Sequence, residues 1–114
     1  MSEKEALSFF QDLVAGEKEF EKFLENAGPR LVVIDFSAKW CGPCKMIRPA
    51  FHELAVRYEN VLFGIVDVDL AKDVADLCNI AAMPTFQFFM KGEKIFELTG
   101  ANAKKLEKKI KELM

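Results

Sequence analysis

No apolar run in this sequence approaches the roughly 18 residues that a membrane-spanning helix needs. The opening residues, Met1-Ser2-Glu3-Lys4-Glu5, are charged where a secretory leader would be apolar. An intracellular, soluble protein is the expectation. Positive charge is not in excess either: 16 Lys and Arg stand against 18 Asp and Glu, a formal net charge of −2. That balance gives no electrostatic reason to expect nucleic acid or an anionic membrane, and leaves other proteins as partners. Cysteine is scarce, three residues in all, which is not the even framework of a small secreted domain. There is one histidine, His52. Beside the close pair Cys41 and Cys44, only Cys78 and His52 remain to complete a four-ligand zinc site, so metal binding is disfavoured. No repeat, low-complexity tract or Gly/Ser-rich linker divides the 114 residues. A single domain follows, long enough to bury a core without staples.

The elements that are present follow one another closely. Leu7, Phe10, Leu13 and Val14 recur at helical spacing, and Ser2 with Glu5 fits a capping box, so pattern alone predicts an N-terminal helix. Glu17 to Asn26 is a second amphipathic stretch, with Phe20, Phe23 and Leu24 on one face and Gly28-Pro29 ending it. Leu31 to Phe36 is apolar on both alternating faces except at Asp35, the pattern of a central strand covered on both sides. From Cys41 to about Tyr58, Ile47, Ala50, Phe51, Leu54 and Tyr58 keep helical spacing, with Pro49 kinking the helix rather than ending it. Val61 to Asp67 reads as a strand and Asp69 to Cys78 as a short helix. Thr85 to Met90 and Lys94 to Thr99, joined by Lys91-Gly92-Glu93, predict an antiparallel hairpin. Ala103 to Leu113 is a helix with Leu106, Ile110 and Leu113 inward and five lysines on a solvated outer face.

Chemistry concentrates at Trp40-Cys41-Gly42-Pro43-Cys44. The pair falls where a buried strand ends and a long helix starts, which sets Cys41 among the unpaired N–H groups of a helix N-terminus. That position favours a thiolate, the attacking species in disulfide exchange, and makes Cys41 the candidate nucleophile. Cys44, three residues on and almost one helical turn away, is within reach of Cys41 and can resolve a mixed disulfide. Pro43 is tolerated early in a helix and stiffens the turn, while Gly42 leaves room for a partner's backbone. Asp35 lies six residues before Cys41 in an otherwise apolar strand, where burial raises the pKa of a carboxyl. It is the candidate acceptor of the proton from Cys44; the alternative is a carboxyl that only satisfies a buried hydrogen bond. For the pair itself, the alternatives are a metal site or two inert buried thiols.

The run Asp35-Phe36-Ser37-Ala38-Lys39-Trp40-Cys41-Gly42-Pro43-Cys44-Lys45-Met46, followed by Val66-Asp67-Val68-Asp69 and by Met83-Pro84-Thr85-Phe86, closely resembles the thioredoxins, and the animal cytosolic branch most. The resemblance covers roughly Gln11 to Met114. It implies an α/β thioredoxin fold, a central mixed β-sheet of about five strands flanked by about four helices. It also implies a first strand near Gln11 to Ala15, against the helical pattern there, with residues 1–9 an extension and 10–114 the domain. Pro84 is then expected to be cis and to face the pair, with the backbone of Met83 and Thr85 pairing with substrate as an added strand. Trp40, oriented by Asp69, would offer a flat apolar contact to varied partners.

The activity implied is protein-disulfide reduction with no bound cofactor. The redox-active disulfide Cys41 to Cys44 would be recharged by electrons from NADPH through a thioredoxin reductase. That reductase is one implied partner; the others are disulfide-containing proteins of the peroxiredoxin, methionine sulfoxide reductase or ribonucleotide reductase type. A cytoplasmic monomer serving cell redox homeostasis is expected. Gly42-Pro43 fits a reductase, since relatives acting as oxidants usually carry His in that dipeptide. Ala71 and Ala82 stand where animal relatives often have further cysteines, so regulation through those thiols is not open to this chain. Cys78 reads as a small buried hydrophobe, and His52 as structural or solvated. The competing function is a binding module that docks on a protein partner when reduced and releases it when the disulfide forms.

Overall fold

The computed structural model describes residues 16–114. Its centre is the strand β1 (Val32–Ser37), whose residues are buried on both faces, as the doubly apolar pattern predicts. β1 pairs in parallel with β2 (Leu62–Asp67) and antiparallel with β3 (Thr85–Met90), which in turn pairs antiparallel with β4 (Glu93–Thr99). The mixed sheet therefore has the order β2-β1-β3-β4. Four helices complete the described residues: α1 (Glu17–Asn26), α2 (Gly42–Arg57), α3 (Lys72–Leu77) and α4 (Ala103–Leu113). The strand expected near Gln11 to Ala15, and the competing helical pattern of Leu7 to Val14, lie outside the described residues. Among the described residues the sheet has four strands rather than about five.

Alternation along β1 sends its side chains into two separate cores. Val33 packs with Ile47, Phe51 and Leu54 of α2 and with Leu106 and Ile110 of α4. Val32, Ile34 and Phe36 pack on the other face with Phe20 of α1 and Val74 of α3. Asp35 shares the parity of Val33 and so belongs to the face covered by α2, with its residue fully buried. The cores are rich in aromatic edge contacts, Phe51 against Phe63 and Phe20 against Phe89 among them.

Local chemistry moves three predicted boundaries. α3 begins at Lys72 rather than Asp69, because the Asp67 carboxylate accepts the N–H groups of Asp69 (2.9 Å) and Leu70 (3.2 Å) and turns the chain first. The hairpin loop is one residue shorter than expected: Lys91 (φ 53°) and Gly92 (φ 83°) both take the left-handed conformation of a tight two-residue turn, so β4 starts at Glu93. α2 starts at Gly42 because Cys41 is extended (φ −81°, ψ 112°) and caps the helix instead of joining it. One of the lysines assigned to the solvated face of α4 has a packing contact: the Lys109 ammonium lies 4.2 Å from the centre of the Phe96 ring.

Candidate active site

β1 ends at Ser37, and the chain needs only four residues to enter α2, so the first turn of α2 sits at the carboxyl end of the central strand. Cys41 and Cys44 are joined there as a disulfide, with their Cα atoms 5.3 Å apart. The Cys44 N–H donates to Cys41 Sγ at 3.2 Å, the hydrogen bond of an N-cap made by sulfur. An N–H held at that sulfur stabilises negative charge on it once the disulfide opens. Cys41 keeps 5% exposure and Cys44 none, and both pack with Ala38, Val68 and Met83. Pro43 occupies the first turn, and a side chain added at Gly42 would meet nothing within 4 Å.

Asp35 sits beneath this turn on the α2 side of the sheet. Neither of its carboxylate oxygens has a hydrogen-bond partner among the described residues. Burial pushes its pKa up from 3.8 to about 7, with the positive charge of Arg48 opposing the rise. Arg48 Nε is 3.9 Å from Asp35 Oδ2, and its Nη2 donates to Ser37 Oγ at 2.9 Å. Sequence reasoning missed Arg48. A signal was present, since Arg48 stands four residues after Cys44 and so on the same face of α2.

Trp40 is 68% exposed, and its indole N–H donates to Asp69 Oδ2 at 2.8 Å, the pairing the resemblance implied. The Met83-Pro84 peptide is cis. Register places Thr85, just after it, opposite Phe36 near the end of β1, and Met83 packs on the cysteine pair. The loop carrying Met83, Pro84 and Thr85 thus converges with Trp40, Cys41 and Cys44. Two exposed apolar residues, Met46 and Leu70, were not singled out from sequence. Met46 follows Cys44 by two residues, and Leu70 adjoins the Asp69 that holds Trp40.

The other candidates stand apart from the pair. Cys78 is a free thiol at the end of α3, half-buried, with its pKa pushed up to about 11 by burial. That makes it a poor nucleophile. His52 is half-buried on α2, and burial followed by the Arg48 charge lowers its pKa. Among the described residues there is no cluster of three or more His, Cys, Asp or Glu suited to a metal, and no helix is long and apolar enough to cross a membrane.

A disulfide closes the first turn of a helix, with one cysteine keeping a little exposure and the other sealed below it. That arrangement makes the chain a protein dithiol-disulfide oxidoreductase. Residues 11–112 match the thioredoxin family model. Human thioredoxin is 58% identical over 95 residues, covering 83% of this chain and 90% of the relative. The crystal structure of Fasciola hepatica thioredoxin superposes with a TM-score of 0.87 at 37% identity, covering 90% of this chain and 98% of that one. Schistosoma mansoni thioredoxin superposes with a TM-score of 0.84 at 42% identity, covering 89% and 93%. The chain belongs to the thioredoxin family.

Proposed function

We propose that this chain is a general protein-disulfide reductase of the cytoplasm, recharged with electrons from NADPH through a thioredoxin reductase. Residues 10–114 are its working domain and 1–9 an extension. The observation that carries the reading is the asymmetry of the pair: Cys41 caps α2 and keeps some exposure, while Cys44 is sealed below it. A foreign disulfide can meet only Cys41.

In the reduced protein the Cys41 thiolate attacks one sulfur of the substrate disulfide. The substrate S–S bond breaks, its other sulfur leaves as a thiolate and takes a proton, and Cys41 is left in a mixed disulfide. Cys44 then loses its proton and attacks Cys41 Sγ. The second substrate sulfur leaves, and the Cys41–Cys44 disulfide re-forms with two electrons passed to the substrate. Asp35, with its pKa at about 7 so that its carboxylate form is available near neutrality, and with no hydrogen bond at either oxygen, is the acceptor for the Cys44 proton. Trp40 and the backbone of Met83 and Thr85 hold the substrate as an extended segment, with cis Pro84 keeping its own edge clear of an N–H.

Because Asp69 fixes the Trp40 indole, Asp69→Ala should lower kcat/KM for reduction of a protein disulfide by about fivefold, the order of one solvent-exposed hydrogen bond of about 1 kcal/mol. A small disulfide such as hydroxyethyl disulfide should be reduced as before. Comparing the two substrates checks this.

The reading itself is tested by insulin disulfide reduction coupled to NADPH and a thioredoxin reductase. Steady NADPH consumption with insulin precipitation is expected. Normal thiol titration with no insulin reduction would instead fit a module dedicated to one partner. Peroxiredoxin, methionine sulfoxide reductase and ribonucleotide reductase types are the substrates to try next.

A further inference from the structure

Beside the redox pair, between the end of β1 and the first half of α2, runs a groove of about 550 Å³ lined by Ala38, Lys39, Lys45, Arg48, Pro49 and His52. Lys39, Lys45 and Arg48 bring three positive charges to it, and no carboxylate lines it, in a chain whose formal net charge is −2. His52 adds little charge near neutrality, since burial and Arg48 both lower its pKa. The groove reaches the chemistry directly. Ala38 packs on Cys41 and Cys44, Lys39 stands two residues before Cys41, and Lys45 follows Cys44.

The three cations are arranged unequally. Arg48 is held at the floor by Ser37 and Asp35, whereas Lys39 and Lys45 are exposed on long stems at the rim. On the other flank of Trp40 the sign reverses: Asp69 accepts the indole N–H, and Asp67 closes the turn that carries it. A polynucleotide lying across the site would meet those carboxylates. A folded protein can present acid on one side of its cysteine and not the other.

We propose that this groove receives an acidic segment of the protein substrate, so that disulfides flanked by Asp or Glu are reduced in preference to neutral ones. The proposal rests on the reductase reading above. Surface charges of this kind act chiefly through encounter and orientation, and their effect is screened by salt.

The test uses the full chain, chemically reduced and freed of reductant, in single-turnover reaction with two disulfide peptides of equal length. One has two Glu on a single side of its cysteine and the other has Gln at the same positions; hydroxyethyl disulfide is the small neutral control. The Glu peptide is expected to react about fivefold faster at low ionic strength, the order of two or three exposed ion pairs. The preference should fall toward unity at about 0.5 M salt. The double substitution Lys39→Glu with Lys45→Glu should abolish or reverse it, each peptide rate being divided by the hydroxyethyl disulfide rate of the same protein so that a change in thiolate reactivity cancels, and circular dichroism shows that the variant is folded. Equal rates for the two peptides with wild type, or a preference that survives the double substitution, would overturn the proposal. If neither peptide nor the small disulfide reacted, the reductase reading itself would fall.

Discussion

Cys41→Ser should lower insulin disulfide turnover by on the order of a thousandfold or more, because no other group on the protein can take over the attack. A serine hydroxyl is neither ionised near neutrality nor able to form the sulfur-sulfur bond that conserves the electron pair. Cys78 cannot substitute, since it lies at the end of α3 with its pKa pushed up to about 11. The fold should be indifferent to the change. Cys41 sits at the edge of a small cluster with Ala38, Cys44, Val68 and Met83, and a hydroxyl can still accept the Cys44 N–H as an N-cap. Circular dichroism and the thermal transition of the reduced proteins, compared beside the turnover, check that activity is lost without the structure.

On the proposed mechanism, Asp35 links catalysis to stability. Its pKa rises from 3.8 to about 7 on folding, with burial the main cause. The sign is that of a group that prefers its protonated form in the folded state. Its contribution to stability is fully present below about pH 4, where the carboxyl is protonated in both states. It is lost as pH rises to about 7, because the unfolded chain ionises freely and the folded one does not. A displacement from 3.8 to about 7, at roughly 1.4 kcal/mol per pH unit, is on the order of 4 kcal/mol, and some 3 kcal/mol of it falls between pH 5 and pH 8. Urea unfolding of the oxidised protein at those two pH values should show that loss. Asp35→Asn should not, and should be the more stable protein at pH 8. His52, whose pKa folding lowers, gives a slope of opposite sign in both proteins, so the difference between their slopes isolates Asp35. The same substitution should slow resolution of the mixed disulfide near neutral pH and remove the inflection near pH 7 from its rate profile. An Asp35 that only fills a buried site would alter the stability curve and leave that rate profile alone.

Periodicity located most of the fold. α1 and α4 fall at the predicted residues because each has one apolar face and a clear stop or start, Gly28-Pro29 after the first and Asn102 capping the second. β1 was legible, though it runs one residue later than expected, because Leu31 to Phe36 is apolar on both alternating faces except at Asp35. Boundaries moved where a side chain competes with the backbone. The Asp67 carboxylate delays α3, and nothing in the apolar pattern around Asp69 to Cys78 registers that hydrogen bond.

At the site, the cysteine pair and the buried carboxyl could be read from residue type and spacing alone. The cis bond before Pro84 and the Trp40–Asp69 contact could not. They depend on which loops meet in space, and reached the sequence reading only through family resemblance. Arg48 was hidden for a related reason: its contact with Asp35 spans a strand and a helix, and only its spacing from Cys44 hints at it.

The most direct test of the account is the covalent state of Cys44→Ser after one encounter with a disulfide substrate. The variant should stop halfway, and intact-mass analysis followed by peptide mapping should find the substrate joined to Cys41. Attachment at Cys78, or no adduct while the thiols remain titratable, would contradict dithiol-disulfide exchange led by Cys41.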